Sequence, residues 1–317
     1  FSAVERLLDE TLLPDAPALI DKILNLSIAR AYHGEIDFTD QVYMPALFGG
    51  TYPSFPVVLV DEYQDLSPVN RAMVRRLCKH SRQIGVGDEA QAIYEFRGAD
   101  VRAMPDAIEQ FNMVTLPLST SFRCPSAITE NVHWHVPDIR SAKSGGVVAR
   151  GNVQTIEDNS AVICRYNAPL IALAMDLLSQ GRKVDVAGVD IGARIIRLTN
   201  KLGDESMTQA QTLDAIEHWE AERDSLDNKS AKDTAECMRV FARHGKSLGG
   251  AIAYAKHIFQ ASGGTIHFMS GHRAKGLEFD SVYHLNSEDI RPGGQEQNIH
   301  YVIDTRPKER LTYIRSH

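Results

Sequence analysis

Apolar residues in the first third of the chain alternate between helical spacing and short unbroken runs. Residues 1–40 predict helices, because apolar side chains recur every three or four positions around Leu7 and again over residues 20–31. Apolar runs predict strands at 57–60, 83–86 and 113–118, and helical spacing predicts helices at 68–78 and 101–111. This alternation is typical of a parallel, doubly wound sheet.

A second alternating set begins near residue 152. Strands are predicted at 153–156, 161–164 and 183–187, a helix at 170–180, and further strands at 265–269, 281–285 and 311–314. Between these two groups of strands, residues 190–260 predict helices almost throughout.

These patterns predict an α/β fold with two domains, residues 1–117 and 118–317. The second domain is expected to carry a helical insertion over about residues 190–260. The segment SAKSGG at 141–146 is the best candidate for a flexible connection, because small, polar and glycine residues dominate it.

Composition narrows the class of protein. The longest apolar runs, such as 55–60, are too short to span a membrane, and the four cysteines lie far apart without a CxxC pair. We therefore expect a cytoplasmic protein without a disulfide framework or a cysteine zinc site. The net charge of -7 argues against a protein that coats nucleic acid through a basic face, but it permits one that holds a single strand in a narrow groove.

The segment VVLVDEYQDL, residues 57–66, ends a predicted strand with two carboxylates, Asp61 and Glu62. Ligands collect at the carboxyl ends of strands in open α/β sheets, where an Asp can hold Mg²⁺ and an adjacent Glu can orient or deprotonate a water. Taken alone, a DE pair is more often a solvated acidic loop.

The next predicted strand leads into IGVGDEAQAIYEFRGAD, residues 84–100. Gln91 offers an amide that could sense a terminal phosphate or an attacking water, and Tyr94, Phe96 and Arg97 place two aromatic rings beside a cation. Aromatic residues at this spacing are commonly part of a core. Beside an arginine and in a glycine-bounded loop, stacking on unpaired bases is the better interpretation.

The chain at this point resembles the UvrD/Rep-type superfamily 1 helicases. DEYQD and GDEAQAIYEFRGA resemble the second and third motifs of that family, and three more segments follow in the family's order. These are LSTSFRCPSAI at 118–128, SGHRAKGLEFDSV at 270–282 and QEQNIHYVIDTRPKERL at 295–311. The resemblance implies two RecA-like parallel-sheet domains, of which the first is incomplete.

The resemblance also implies roles for individual residues. Asp61 would bind Mg²⁺, Glu62 would be the catalytic base, and Gln91 would link the γ-phosphate to the DNA site. Phe122 would stack on the adenine, and Arg123 and Arg306 would contact the γ-phosphate. Glu278 would bind the ribose, and Gly276 would lie beside the nucleotide. Single-stranded DNA would contact Tyr94, Phe96, Arg97 and His272.

Ordinary structural roles compete with these assignments. Without the flanking motifs, Arg123 and Arg306 are more simply surface arginines, and Glu278 and Lys275 could form an ion pair. Pro307 follows Arg306 directly, which predicts that Arg306 lies at a helix end.

The phosphate-binding loop of this family is not found in the chain. No GxxxxGK[ST] pattern occurs, and the GKS at 245–247 follows a helical run rather than a strand. We therefore expect a missing N-terminal P-loop segment, and poor ATP hydrolysis by this chain alone.

The leading hypothesis is a fragment of an ATP-dependent DNA helicase motor. It would use ATP and Mg²⁺, act on single-stranded DNA and duplex junctions, and translocate from 3′ to 5′ by analogy with the family. A non-catalytic DNA- or protein-binding remnant is the alternative. A metal-dependent nuclease built on Asp61, Glu62 and Asp65 is a third possibility, disfavoured because nuclease sites usually gather carboxylates from several strands.

Overall fold

The computed structural model describes residues 16–95, 98–100, 102–224, 229–260 and 263–316. The chain divides into two compact units. Unit 1 comprises residues 1–89 and 94–114, and unit 2 comprises residues 90–93 and 115–317. The helical pattern around Leu7 and the site candidates Phe96 and Arg97 lie outside the described residues.

Unit 1 contains four described α-helices and a two-stranded parallel sheet. The elements are α1 Ala16–Tyr32, α2 Phe38–Phe48, β1 Val57–Val60, α3 Pro68–Leu77, β2 Arg82–Gly85 and α4 Ala103–Phe111. Helix α3 begins where the sequence favours it, because Ser67 and Asn70 form a capping box and Pro68 occupies the first turn. Residues 57–60 of β1 pair in register with residues 82–85 of β2.

One part of the core of unit 1 lies against its sheet. Val58, Val74 and Cys78 form a buried cluster between the sheet and α3, with partly buried apolar side chains around it. The strand predicted at 113–118 is wrong. Val114, Leu116 and Leu118 are largely exposed, and Pro117 has no N–H to donate to a neighbouring strand.

Unit 2 is built on a six-stranded parallel sheet in the order β5-β10-β9-β6-β8-β7. Its six strands are β5 Val147–Arg150, β6 Ser160–Cys164, β7 Val184–Val186, β8 Ile266–Ser270, β9 Phe279–Leu285 and β10 Pro307–Ile314. The central strand β6 is buried at every residue. A separate parallel pair, β3 Thr120–Ser121 and β4 Arg140–Ser141, precedes this sheet.

Helices cover the sheet of unit 2 and fill the predicted insertion. They are α5 Ser126–Asn131, α6 Asn167–Ser179, α7 Val189–Asn200, α8 Gln209–Asp224, α9 Lys229–His244, α10 Leu248–Gln260, α11 Gly271–Ala274 and α12 Gly294–Asp304. Because α7 to α10 stand between β7 and β8, the prediction of an α/β fold with a helical insertion is confirmed.

One strand predicted in unit 2 is wrong. Val153–Thr155 forms a short 3-10 turn, in which the Asn152 side chain accepts a hydrogen bond from the Gln154 N–H. The edge strand is β5 instead. The segment 141–146, expected as a flexible connection, lies inside unit 2, where the backbone N–H groups of Ser126 and Ala127 donate hydrogen bonds to two of its carbonyls.

Within the described part of the chain, no helix combines the length and the apolar character required to cross a membrane.

Candidate functional site

The acidic pair lies directly after β1, as the sequence indicates. Asp61 and Glu62 are both exposed, and Oδ1 of Asp61 accepts a hydrogen bond of 2.9 Å from the Glu62 N–H. Glu62 has left-handed backbone geometry, with φ 50° and ψ 45°. This conformation is unfavourable by about 1–2 kcal/mol for a residue with a side chain, and such strain clusters at functional sites.

Gln64, whose role we did not foresee, joins the ends of the two strands of unit 1. Its amide donates to Oε2 of Glu62 at 2.5 Å, and its carbonyl oxygen accepts from the Asp88 N–H at 3.0 Å. The close approach requires glycine at position 87, because a Cβ there would lie 2.6 Å from the Gln64 carbonyl oxygen. The sequence signal for this role was the glutamine within the DEYQD segment.

The acidic end of β1 fits a hard cation. Carboxylate oxygens are the ligands that Mg²⁺ prefers, and Asp61 is exposed at the strand end. Among the described residues, Asp61, Glu62 and Asp65 do not converge as a group of potential metal ligands. The group of three that does converge lies elsewhere and consists of His284, His300 and Asp304. A two-metal nuclease site at β1 therefore gains no support.

In unit 2, Arg306 is held inside the protein rather than at its surface. It is 1% exposed, so its interpretation as a surface arginine is wrong. Its guanidinium donates to the carbonyls of Val302 and Leu277 at 2.8 and 3.3 Å, and Nη2 lies 3.5 Å from Oε1 of Gln91. Helix α12 ends at Asp304 and β10 begins at Pro307, so Arg306 follows a helix end as predicted.

Residues 90–93 are held by other side chains of unit 2, an arrangement that we did not predict from the sequence. Lys275 Nζ donates to the Gln91 carbonyl at 2.8 Å, and Asn298 Nδ2 donates to the Ala92 carbonyl at 2.9 Å. Gln295 donates to the Ile93 carbonyl. Gln295 and Asn298 are three residues apart on α12 and therefore lie on one face, a spacing visible in the sequence.

Arg123 and Glu278 form an ion pair of 3.0 Å in unit 2. Lys308 lies 3.9 Å from the same carboxylate, and Lys275 is bonded elsewhere, so the expected Glu278–Lys275 pair is wrong. The Phe122 ring next to Arg123 is 74% exposed. An exposed ring beside a cation and a carboxylate is available for a flat ligand.

The other candidates of the resemblance lie in loops and short helices. Gly276 has φ +82°, a conformation that favours glycine, and it follows α11, which carries the half-buried His272. Tyr94 is also half-buried, and its carbonyl accepts a hydrogen bond from the Ala99 N–H at 3.2 Å. Gln91 and Arg306 are thus brought together, as are Arg123 and Glu278.

Comparison with known proteins shows that parts of this chain are similar to helicases. Residues 41–112 match the UvrD/REP helicase N-terminal domain. The RecBCD enzyme subunit RecB of Escherichia coli (strain K12) is 30% identical over 118 residues, 32% of this chain and 10% of that protein. RecB of Mycolicibacterium smegmatis is 29% identical over 153 residues, 42% of this chain and 13% of that protein. DNA helicase IV of Escherichia coli (strain K12) is 39% identical over 77 residues, 23% of this chain and 11% of that protein. The chain therefore spans only about a tenth of the length of these relatives.

Proposed function

We propose that this chain, a UvrD-like superfamily 1 helicase by these relationships, carries the hydrolytic and DNA-gripping half of an ATP-dependent DNA motor. The proposal depends above all on the geometry of the acidic strand end, where Gln64 fixes the Glu62 carboxylate one residue beyond Asp61. In the intact protein we expect ATP hydrolysis stimulated by single-stranded DNA and translocation from 3′ to 5′.

In this proposal, Asp61 would hold Mg²⁺, which supplies charge neutralisation of the phosphates. Glu62 orients the attacking water and accepts its proton. The hydrogen bond from Gln64 restricts rotation of the Glu62 carboxylate, so one oxygen is occupied and the other remains for the water. Precise placement of this kind contributes to rate because the reacting groups need no reordering.

The proposal also gives roles in phosphate binding to two arginines and one amide side chain of unit 2. Arg306 and Arg123 would stabilise the charge that spreads over the transferred phosphoryl group, a contribution of roughly 10³–10⁵ in rate in other phosphoryl-transfer enzymes. Nη2 of Arg306 lies 3.5 Å from Oε1 of Gln91, so a phosphate that attracts Arg306 would also act on the Gln91 amide, which is the sensor role that the proposal gives it. Phe122 would stack on the adenine, with Glu278 at the ribose and Gly276 beside the nucleotide.

The sheet of unit 1 offers a place for the expected P-loop segment. Leu59 is 74% exposed, and Val57 and Ile84 on the same small sheet are also exposed. Strands of parallel sheets are normally covered on both faces. We propose that further strands carrying the phosphate-binding loop complete this sheet in the working motor.

DNA would be held as a single strand, by stacking on Tyr94 and by polar contacts from His272, with Phe96 and Arg97 contributing. Base stacking on aromatic side chains contributes about 1–3 kcal/mol per base without sequence preference. Binding should therefore tolerate any sequence and weaken with salt. Unwinding of duplex junctions would follow from movement along the strand.

One alternative is a remnant that binds DNA or a protein without hydrolysis, which is favoured if the intact protein also lacks a GxxxxGK[ST] pattern. The two functions differ in a measurable way. A motor component gains ATPase activity when a P-loop segment of a related helicase is supplied, whereas a remnant does not.

The first test measures phosphate release by the purified chain with and without oligo-dT. We expect turnover far below the range of about 1–100 s⁻¹ that is typical of kinases, because no P-loop lysine is present to neutralise the phosphates. Ordinary helicase turnover by the chain alone would refute this expectation. Addition of the P-loop segment should raise the rate, and Glu62→Gln should abolish that increase.

The second test separates the nucleotide and DNA sites. Binding of a fluorescent ATP analogue should weaken in Phe122→Ala and be retained in Phe122→Tyr, with Phe38→Ala, another exposed ring, as the control. Fluorescence anisotropy with labelled oligo-dT should show weaker binding for His272→Ala than for the exposed control His218→Ala. Equal behaviour of site and control variants would contradict the assignments.

A further inference from the structure

A buried polar cluster lies in unit 2 where β9 meets α12. His284, His300 and Asp304 bring three potential ligand atoms within 4.8 Å of one another. His284 and Asp304 are fully buried, and the His300 side chain is 25% exposed. We propose that these three residues bind one divalent transition-metal ion, a site separate from the nucleotide chemistry.

The positions of the three residues suit a metal site. His300 and Asp304 are four residues apart on α12, so they lie on one face of the helix, and His284 approaches from β9. The His284 and His300 rings pack edge to face with centroids 4.9 Å apart. Trp134 covers His300 at 5.2 Å. Ligands on packed, regular elements are held more precisely than ligands on loops.

Burial and convergence of the three side chains are the strongest argument for a cation. Asp304 is completely buried, and its carboxylate oxygens lie 2.8 Å from Nδ1 of His284 and 3.3 Å from Nε2 of His300. Two imidazoles and a carboxylate that converge away from water form a donor set that can coordinate a metal ion.

The surroundings supply the outer contacts that metal sites use. The Tyr313 hydroxyl donates to Oδ2 of Asp304 at 2.7 Å, and Asn131 donates to the same oxygen at 3.4 Å. Such partners orient ligating carboxylates. Within the described residues, Nε2 of the buried His284 has no hydrogen-bond partner, so this ring has capacity for one further bond.

The donor set indicates the kind of metal. Two imidazoles and one carboxylate suit zinc or a neighbouring transition metal rather than Mg²⁺ or Ca²⁺, which prefer oxygen ligands. Metal–ligand bonds of about 2.0–2.2 Å in a tetrahedron place ligand atoms roughly 3.3 Å apart. The three ligand atoms lie within 4.8 Å of one another, and Oδ2 of Asp304 is 3.3 Å from Nε2 of His300. Water would occupy the fourth position on the exposed side of His300.

Titration of the chelator-treated chain with Zn²⁺, and with Co²⁺ as a spectroscopic substitute, tests the proposal without nucleotide or DNA. We expect one equivalent of saturable binding, visible Co²⁺ absorption of four-coordinate type, and a rise in melting temperature with Zn²⁺. Failure here would leave the proposed helicase function untouched, because neither ATP nor DNA enters the measurement.

Variants connect the binding to these residues. His300→Ala should weaken Zn²⁺ binding at least about tenfold, and His284→Gln should do the same. The matched control is His267→Ala, which removes a half-exposed histidine 3.5 Å from Asp185 and should leave binding unchanged. Far-UV circular dichroism checks that each variant is folded. Absence of a saturable equivalent in the wild-type chain, or equal binding by His300→Ala, overturns the proposal and leaves a hydrogen-bonded cluster.

Discussion

The two units build parallel sheets of very different completeness. Among the described residues, the sheet of unit 1 has two strands, and Leu59 and Ile84 on it are exposed. The sheet of unit 2 has six described strands, and its central strand β6 is buried at every position. Strands of parallel sheets are normally covered on both faces. The comparison shows that β6 has such cover from the described residues, whereas Leu59 of β1 does not.

The largest expected effect is the loss of a central side chain from unit 2. Phe268 in β8 is completely buried, and Phe268→Ala should lower the free energy of unfolding by about 3–5 kcal/mol. Val74→Ala in unit 1 should cost only about 1–2 kcal/mol, because two methyl groups are removed from a small cluster.

Urea unfolding followed by tryptophan fluorescence measures the change in unit 2, where both Trp134 and Trp219 lie. Hydrogen exchange in β1 measures the change in unit 1. Equal losses of stability in Phe268→Ala and Val74→Ala would contradict the expected difference between the two units.

A buried ion pair gives the next largest effect. Arg165 donates two hydrogen bonds of 2.8 Å to Glu296, and the two side chains are 20% and 16% exposed. Arg165→Ala should cost about 2–3 kcal/mol, because it removes two hydrogen bonds and the opposite charge from a partly buried carboxylate. The control is the double variant Arg165→Met with Glu296→Leu, which should recover at least half of the loss in urea unfolding. A double variant as unstable as the single one would contradict this explanation.

Much of this fold was predictable, since β1, β6 and α6 all lie where apolar runs and helical spacing indicate them. The prediction failed where tertiary pairing decides. Residues 113–118 are mostly apolar like a strand, yet Leu118 is exposed and the segment forms no ladder. The strand predicted at 153–156 failed for a local reason, because the Asn152 side chain accepts a hydrogen bond from the Gln154 N–H and a turn forms there.

The candidate site also has some features that local sequence predicts and others that depend on tertiary packing. The position of Asp61 at the end of β1 follows from local pattern, because the strand and the carboxylate are adjacent. The contacts of Asn298 with Ala92 and of Arg306 with Gln91 join residues about two hundred positions apart. Such pairs depend on how helix α12 packs, which periodicity does not determine.

A smaller effect should appear as acid sensitivity in unit 1. A hydrogen bond from Arg71 of α3 lowers the pKa of Asp106 in α4, with a distance of 2.7 Å. Because the folded pKa is depressed, this contact contributes stability above the ordinary Asp pKa and loses it as pH falls through the folded pKa. The urea midpoint should therefore fall between about pH 5 and pH 3. Circular dichroism should show a smaller fall of the urea midpoint in Asp106→Asn. The same fall in this variant as in the wild-type chain would rule out the Arg71–Asp106 contact as the source of the acid sensitivity.

The smallest effect on folding should come from the exposed face of β1. Leu59 is 74% exposed, so Leu59→Lys should change the stability of the chain by no more than about 0.5 kcal/mol. Val58, the adjacent residue on the opposite face, is buried, and Val58→Lys should strongly destabilise unit 1 because it places a charge in the core. If the exposed face awaits further strands, Leu59→Lys should nevertheless prevent the P-loop segment from raising ATPase activity. Equal destabilisation by the two lysines in urea unfolding would contradict the proposal that Leu59 lies on a face open to further strands.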